Sequence, residues 1–119
     1  MSLESLRTTL EGLNVSFAVI AELLSGEIQF YGDRQMIGDP HLIEALFGDN
    51  SAIQTLNKSL EGQLLPQIWS QGKITCVVCK PTENIIVGLF HSDHRTAVEH
   101  YQWSKKADAM IRLVYTENR

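Results

Sequence analysis

Residues 74–90 read ITCVVCKPTENIIVGLF, two β-branched apolar runs on either side of a short polar break, and the pattern is that of a β-hairpin. Ile74, Thr75, Val77 and Val78 fill the first arm and Ile85, Ile86 and Val87 the second, residue types whose stiff χ1 torsions suit a pleated surface. The break, Lys80-Pro81-Thr82-Glu83-Asn84, holds a proline that donates no ladder hydrogen bond and an asparagine that tolerates left-handed backbone. Neither arm alternates cleanly between apolar and polar residues, so both faces of the hairpin are predicted to be covered. The covers must come from the rest of the chain.

Just upstream, residues 62–72, GQLLPQIWSQG, set Leu65, Gln67, Trp69 and Gln71 against Pro66, Ile68 and Ser70 with a period of two, which predicts a third strand entering the hairpin. Pro66 near its start places that strand at a sheet edge. Before it, Leu42, Ile43, Leu46 and Phe47 share one side of a helix that Asp39 caps, with Pro40 in the first helical position. Ile53, Leu56 and Leu60 continue an apolar stripe opposite Gln54, Asn57, Lys58 and Glu61, with Asn50 or Ser51 able to cap. The turn chemistry of Gly48-Asp49-Asn50 leaves one kinked helix or two separate ones open.

Farther toward the N-terminus, VSFAVIAEL and GEIQFYG flank Leu24-Ser25-Gly26 and predict a second hairpin, with Gly26 supplying the positive φ of a tight turn. Leu3, Leu6, Leu10 and Leu13 recur at helical spacing, Ser2 or Ser5 is able to cap, and Gly12 and Asn14 stop the helix at about residue 12. On the other side of the hairpin, Ser92 or Asp93 caps a last helix over about residues 94–116. Its apolar stripe is Ala97, Tyr101, Ala107, Met110, Ile111 and Val114, and Arg95 and Glu99 lie one turn apart. The predicted fold is α+β in the order α-β-β-α-β-β-β-α, a five-stranded, mainly antiparallel sheet with the terminal helices on one face and the middle helix on the other.

The 119 residues, 44% of them hydrophobic, predict one domain over residues 1–119 with a sizeable core. The longest apolar runs, residues 17–21 and 85–90, fall far short of the ~20 residues a membrane helix requires, so no membrane insertion is expected. Glu4 in the first turn, with no basic start and no apolar core after it, predicts neither a secretory signal nor a transit peptide, and hence the cytoplasm. A net charge of -4 with scattered lysines and arginines argues against nucleic acid, whose backbone calls for a basic face.

The hairpin FAVIAELLSGEIQFYG, followed by a middle helix, a three-strand run and a long C-terminal helix, resembles the roadblock (dynein light chain) family, with its profilin-like fold, over nearly the whole chain. That resemblance implies a homodimer, or a heterodimer with a related roadblock-like chain, in which the middle helices pair and the third strands align into one continuous sheet. It would place Leu56, Leu60, Leu65, Gln67, Ile68 and Trp69 in the dimer interface and turn Gln54, Asn57, Lys58 and Glu61 toward a further partner. In the family such a surface serves small Ras-like GTPases or adaptor proteins. The residues supply a physical basis of their own, because residues 65–71 carry no charge and an unprotected edge strand templates further pairing. Ordinary burial of Ile68 and Trp69 beneath the chain's own helices is the competing account.

No catalytic constellation stands out. Cys76 and Cys79 have the spacing of a redox or zinc motif, but three residues apart on a strand they point to opposite faces with Cα atoms ~10 Å apart, beyond the ~7 Å limit for a disulfide. They read as two structural thiols. His94 and His100 fall on different sides of a helix, so only His91 with His94, joined by Asp93, would share a ligand, and capping explains the same residues. A Cys79–His91 nucleophile would need a fold contact that local spacing does not supply. Trp103 with Tyr101 reads as packing, and the dispersed glycines make no phosphate cradle. No metal and no cofactor is expected. The reading is a non-catalytic dimeric interaction module; the alternative is a small-molecule sensor with a pocket between sheet and middle helix.

Overall fold

The computed structural model describes residues 3–38, 40–92 and 96–117. Helix α1 (Leu3–Gly12) leads into strands β1 (Phe17–Glu22) and β2 (Ile28–Gly32), a 3-10 turn (Arg34–Met36), helices α2 (His41–Phe47) and α3 (Asn50–Ser59), strands β3 (Gln67–Gln71), β4 (Ile74–Thr82) and β5 (Ile85–His91), and helix α4 (Ala97–Glu117). The sheet order is β2-β1-β5-β4-β3, and each pairing is antiparallel. The predicted hairpin of β4 and β5 thus lies inside the sheet, and β2 and β3 form its margins.

Strand alternation divides the core in two. On one face Phe17, Val19, Cys76, Val78, Ile86 and Phe90 meet Leu42, Ile43, Leu46 and Phe47 of α2 and Ile53 and Leu56 of α3. On the other, Ala18, Ile20, Val77, Cys79, Val87 and Leu89 meet Leu6 and Leu10 of α1 and Ala107, Ile111, Val114 and Tyr115 of α4. The near-continuous apolar runs of β4 and β5 follow from this, since each successive residue enters one core or the other. At Gly88 the Phe47 ring of α2 packs directly on the sheet. A Cβ there would lie 2.5 Å from Cε2 and 2.8 Å from Cζ of Phe47, so the absence of a side chain lets that ring sit on β5 and reach Phe90 edge-on at 6.0 Å.

The ends of the elements follow local chemistry. Asn14 adopts φ 57° and Val15 N–H donates back to Leu10 O at 3.2 Å, the left-handed closure that terminates α1. Gly26 turns the first hairpin with φ 75°. The middle region forms two helices, because Asp49 is extended (φ -153°, ψ 175°) and its side chain accepts from Ala52 N–H at 2.7 Å. Asp49 is therefore the cap expected of Asn50 or Ser51. Pro40 occupies the N-cap position of α2, with no side-chain cap bond, rather than the first helical position; Asp39 lies outside the described residues.

At the central hairpin, β4 runs on through Thr82, three residues into the expected break, with a register shift between Cys79 and Thr82. Pro81 sits in that irregularity, where its missing N–H interrupts no regular ladder. Asn84 is not left-handed; its carbonyl accepts from Leu23 N–H and its side chain from Leu24 N–H, each at 2.8 Å, clasping the two hairpin turns together. Helix α4 begins later than expected, and its cap is a reciprocal box. Thr96 N–H donates to Glu99 Oε1 at 2.9 Å, and Glu99 N–H donates to Thr96 Oγ1 at 3.1 Å. Thr96 thus stands where Ser92 is expected to cap the helix; the expected cap Asp93 and the expected pairing of Glu99 with Arg95 rest on residues outside those described. Asp93, His94 and Arg95 lie outside the described residues.

Candidate interaction surface

Strand β3 lies at the margin of the sheet and, among the described residues, is bonded to β4 alone, in the edge position that Pro66 and the period-two pattern predict. Its five residues, QIWSQ, carry no charge. Ile68 faces away from α3 and keeps 43% of its surface exposed. Trp69 points the other way and packs, half-buried, with Leu65 against the core under α2 and α3. Gln67 is half-buried at the head of the strand. Leu64, just before it, is 93% exposed.

The structure sorts the expected interface residues by what already covers them. Leu56 and Leu60 are 3% and 5% exposed and pack within the chain's own core, so they have little surface to offer a second copy. An apolar stripe on a helix says that one face is covered, and here the chain's own sheet covers it. Ile68 is the exposed apolar member of the set, while Leu65, Gln67 and Trp69 are shared between the core and the margin.

The opposite stripe of the middle helix divides too. Lys58 and Glu61 are exposed. Gln54, also exposed, reaches Leu23 O at 3.5 Å. Asn57 is half-buried, and its Oδ1 accepts from Lys80 Nζ at 2.7 Å, which ties α3 to the end of β4 and occupies the amide expected to meet a partner. The outward surface of α3 is thus polar, with Ser51, Gln54, Thr55 and Lys58 all exposed.

The residues that suggested chemistry are placed apart. Cys76 lies in the core under α2 and Cys79 in the core under α4, both as free thiols. Burial pushes both well above the usual thiol range, and at Cys79 the negative charge of Asp108 and a hydrogen bond to it push further the same way. Asp108 itself accepts from Arg112 Nε at 2.9 Å. His91 pairs across with Thr75, and Cys79 with Val87, which separates them by four strand positions, roughly 13 Å; the fold makes no Cys–His contact of them.

His91 instead stacks on His100 at 5.1 Å and meets the edge of Trp103 at 5.1 Å, and Trp103 Nε1 donates to Leu13 O at 3.3 Å. This cluster joins the ends of β5 and α1 to α4, and it assigns Trp103 to packing as its sequence context predicts. Among the described residues no group of three His, Cys, Asp or Glu side chains is arranged to hold a metal ion, and no helix is long and apolar enough to cross a membrane. Between the central strands and the middle helices the space is filled by Phe17, Phe47 and Phe90 with their aliphatic neighbours, which counts against a sensor pocket over the centre of the sheet, whereas at its β2 margin an open hollow of about 440 Å³ lies between Ile28 and Phe30 and the α2 residues Ile43, Glu44 and Phe47.

No protein-family model matches the sequence, and no curated protein matches it. Solved structures do match. Myxococcus xanthus MglB is similar with a TM-score of 0.57 at 14% identity, over 92% of this chain and 90% of that one. The gliding protein MglB of Thermus thermophilus is similar with a TM-score of 0.57 at 17% identity, over 97% and 88%. The fold is the roadblock fold. A structure described as MglB with tetrameric arrangement has the same TM-score of 0.57 at 16% identity, over 97% and 88%. At these identities the likeness is one of architecture, and within the roadblock fold the exposed residues of this chain are its own.

Proposed function

We propose that this chain is a non-catalytic interaction module that pairs along β3 with a second copy, or with a related roadblock-like chain, and presents the joined surface to a small Ras-like GTPase or an adaptor protein in the cytoplasm. The observation that carries the pairing is β3 itself: an uncharged marginal strand with an open row of backbone groups and Ile68 43% exposed on it. A two-fold repeats each such contact, so one exposed isoleucine counts twice. The partner class rests on the roadblock fold and on the likeness to MglB, and is therefore an argument by analogy of fold. Lys58 on α3 and Glu61 in the turn just after it are exposed charged positions that such a partner would meet.

Light scattering on the purified chain tests the pairing: a two-chain mass at tens of micromolar is expected, and a one-chain mass at every concentration removes the reading. The partner arm titrates small Ras-like GTPases of the same organism, loaded with GDP or with a GTP analogue, against the immobilised chain. Lys58→Glu is expected to weaken capture without changing the mass. Capture that survives charge reversal at both Lys58 and Glu61 moves the docking surface away from α3.

A further inference from the structure

The sheet has a second margin, and its chemistry differs from that of β3. Strand β2, IQFYG, pairs with β1, and among the described residues no strand pairs with its outer side. It carries neither a charge nor a proline, two of the devices that blunt an edge. Glu22 N–H donates to Glu27 O at 2.9 Å, and bonded and non-bonded pairs alternate along an antiparallel ladder. Gln29 and Tyr31 therefore bond inward to β1, and Ile28, Phe30 and Gly32 turn their N–H and C=O groups outward. Phe30 is 55% exposed although its ring stacks on Phe17 at 5.8 Å.

On the α1 side of this margin, charges of opposite sign line separate hollows. On the α1 side a hollow of about 380 Å³ follows β2 from Ile28 to Tyr31, and Arg7 is the one charged residue lining it. On the same side, at the turn end of the strand, a smaller hollow of about 90 Å³ is lined by Glu22 and Glu27. A second copy of β2 lying antiparallel brings its Glu27 alongside the Tyr31 half of the hollow that Arg7 lines, so opposite charges face one another across the pair.

We propose that β2 is a second self-association edge, pairing with β2 of another copy about a two-fold axis, in the register that sets Ile28 opposite Phe30 of the second copy. That register satisfies the outward backbone groups of Ile28 and Phe30 and covers the exposed Phe30 ring with an isoleucine. It also sets Glu27 opposite Tyr31 of the second copy, in the hollow lined by that copy's Arg7. The register centred on Phe30 sets Glu27 against Asp33, and like charges directly opposite are unfavourable. The edge is distinct from β3, so pairing at both margins joins copies end to end in one extended sheet. A five-residue edge is small, and screening by salt should weaken it.

The test is sedimentation equilibrium up to about millimolar chain. It uses an Ile68→Glu background, which puts a charge on β3, and, separately, the unaltered chain. In the background, a dimer that weakens at high salt is expected. Adding Arg7→Glu should weaken it about tenfold, since each exposed ion pair occurs twice and becomes a repulsion; adding Glu27→Arg to that variant should restore it. A background variant that stays a single chain throughout overturns the proposal, as does an Arg7→Glu variant with unchanged association or a charge swap that restores nothing. If Ile68→Glu leaves the β3 association unaltered, the β3 reading fails by itself, and the Arg7 and Glu27 series in the unaltered chain still decides the β2 edge.

Discussion

Replacing Ile68 by threonine tests the β3 interface without disturbing the fold. Full burial of an isoleucine side chain contributes about 1.5–3 kcal/mol. The 43% of Ile68 that remains exposed leaves about 1 kcal/mol for a second copy to gain, and a two-fold doubles this to about 2 kcal/mol, roughly thirtyfold in dissociation constant. Threonine is β-branched and keeps the strand preference while losing most of that apolar surface, so Ile68→Thr should weaken the dimer by about ten- to thirtyfold. Sedimentation equilibrium across the micromolar range reads the constant, and urea unfolding of the monomer confirms that stability has moved little. Trp69→Glu would be a poorer probe, because Trp69 packs on its own core and a charge there unfolds the chain as readily as it separates two chains. A dissociation constant that moves less than about threefold, with the fold intact, refutes an interface resting on Ile68.

Three further outcomes follow from the packing. Gly88→Ala drives a methyl group into the Phe47 ring, 2.5 Å from Cε2, and should cost about 1–3 kcal/mol, read as a lower urea midpoint at unchanged slope; a neutral result means the ring has room to move. Tyr115 has a buried hydroxyl with no hydrogen-bond partner among the described residues, and burial pushes its pKa from 10.0 to about 12. The folded state holds that proton more tightly, so the contribution is complete below about pH 10 and about 2 kcal/mol is lost as pH rises toward 12. Tyr115→Phe should remove this alkaline loss and raise stability at neutral pH by about 1 kcal/mol, whereas a variant with the same alkaline profile as the parent contradicts the assignment. Cys76 and Cys79, both fully buried and held protonated, should react with a thiol reagent only as fast as the chain opens. A rapid phase in the native protein, equivalent to even one thiol, would contradict that.

Local patterns read correctly where one short-range rule decides. The span of α1 (Leu3–Gly12) follows from the leucine spacing and the turn at Asn14. The marginal place of β3 follows from its period and from Pro66, and the two-sided burial of β4 and β5 from the lack of alternation in ITCVVCKPTENIIVGLF. The cap of α4 was legible too, since Thr96-Ala97-Val98-Glu99 is a capping-box spacing, but the more frequent cap residues Ser92 and Asp93 upstream drew the boundary too early. Asp49 was hidden inside a cluster of three turn formers. Leu56 and Leu60 illustrate a deeper limit, because periodicity identifies a buried face and is silent about whether the chain itself or a neighbour buries it. The contact of His91 with His100 belongs to the same class: nine residues and a change of element separate them, and it is the docking of α4 on the sheet that brings the rings together.

Both faces of this sheet are occupied by the chain's own helices, and each core is filled by side chains of 9% exposure or less with half-buried neighbours at its rim. The sheet therefore has no face of its own left open, and what the helices leave uncovered are its margins, where backbone groups stay open and side chains are covered from one side only. The strand order decides which segments those are. Because β1, β5 and β4 take the centre, the margins fall to β2 and β3, and these are the two strands whose burial patterns break into exposed residues. Both lack charge, yet they differ in what flanks them: β3 offers one exposed apolar side chain, Ile68, and β2 an aromatic ring beside a hollow lined by Arg7 and another lined by Glu22 and Glu27. An edge of the first kind selects by shape and apolar area and should tolerate salt. One of the second kind selects by polarity and should not, so raising ionic strength is expected to separate the two associations on the same chain.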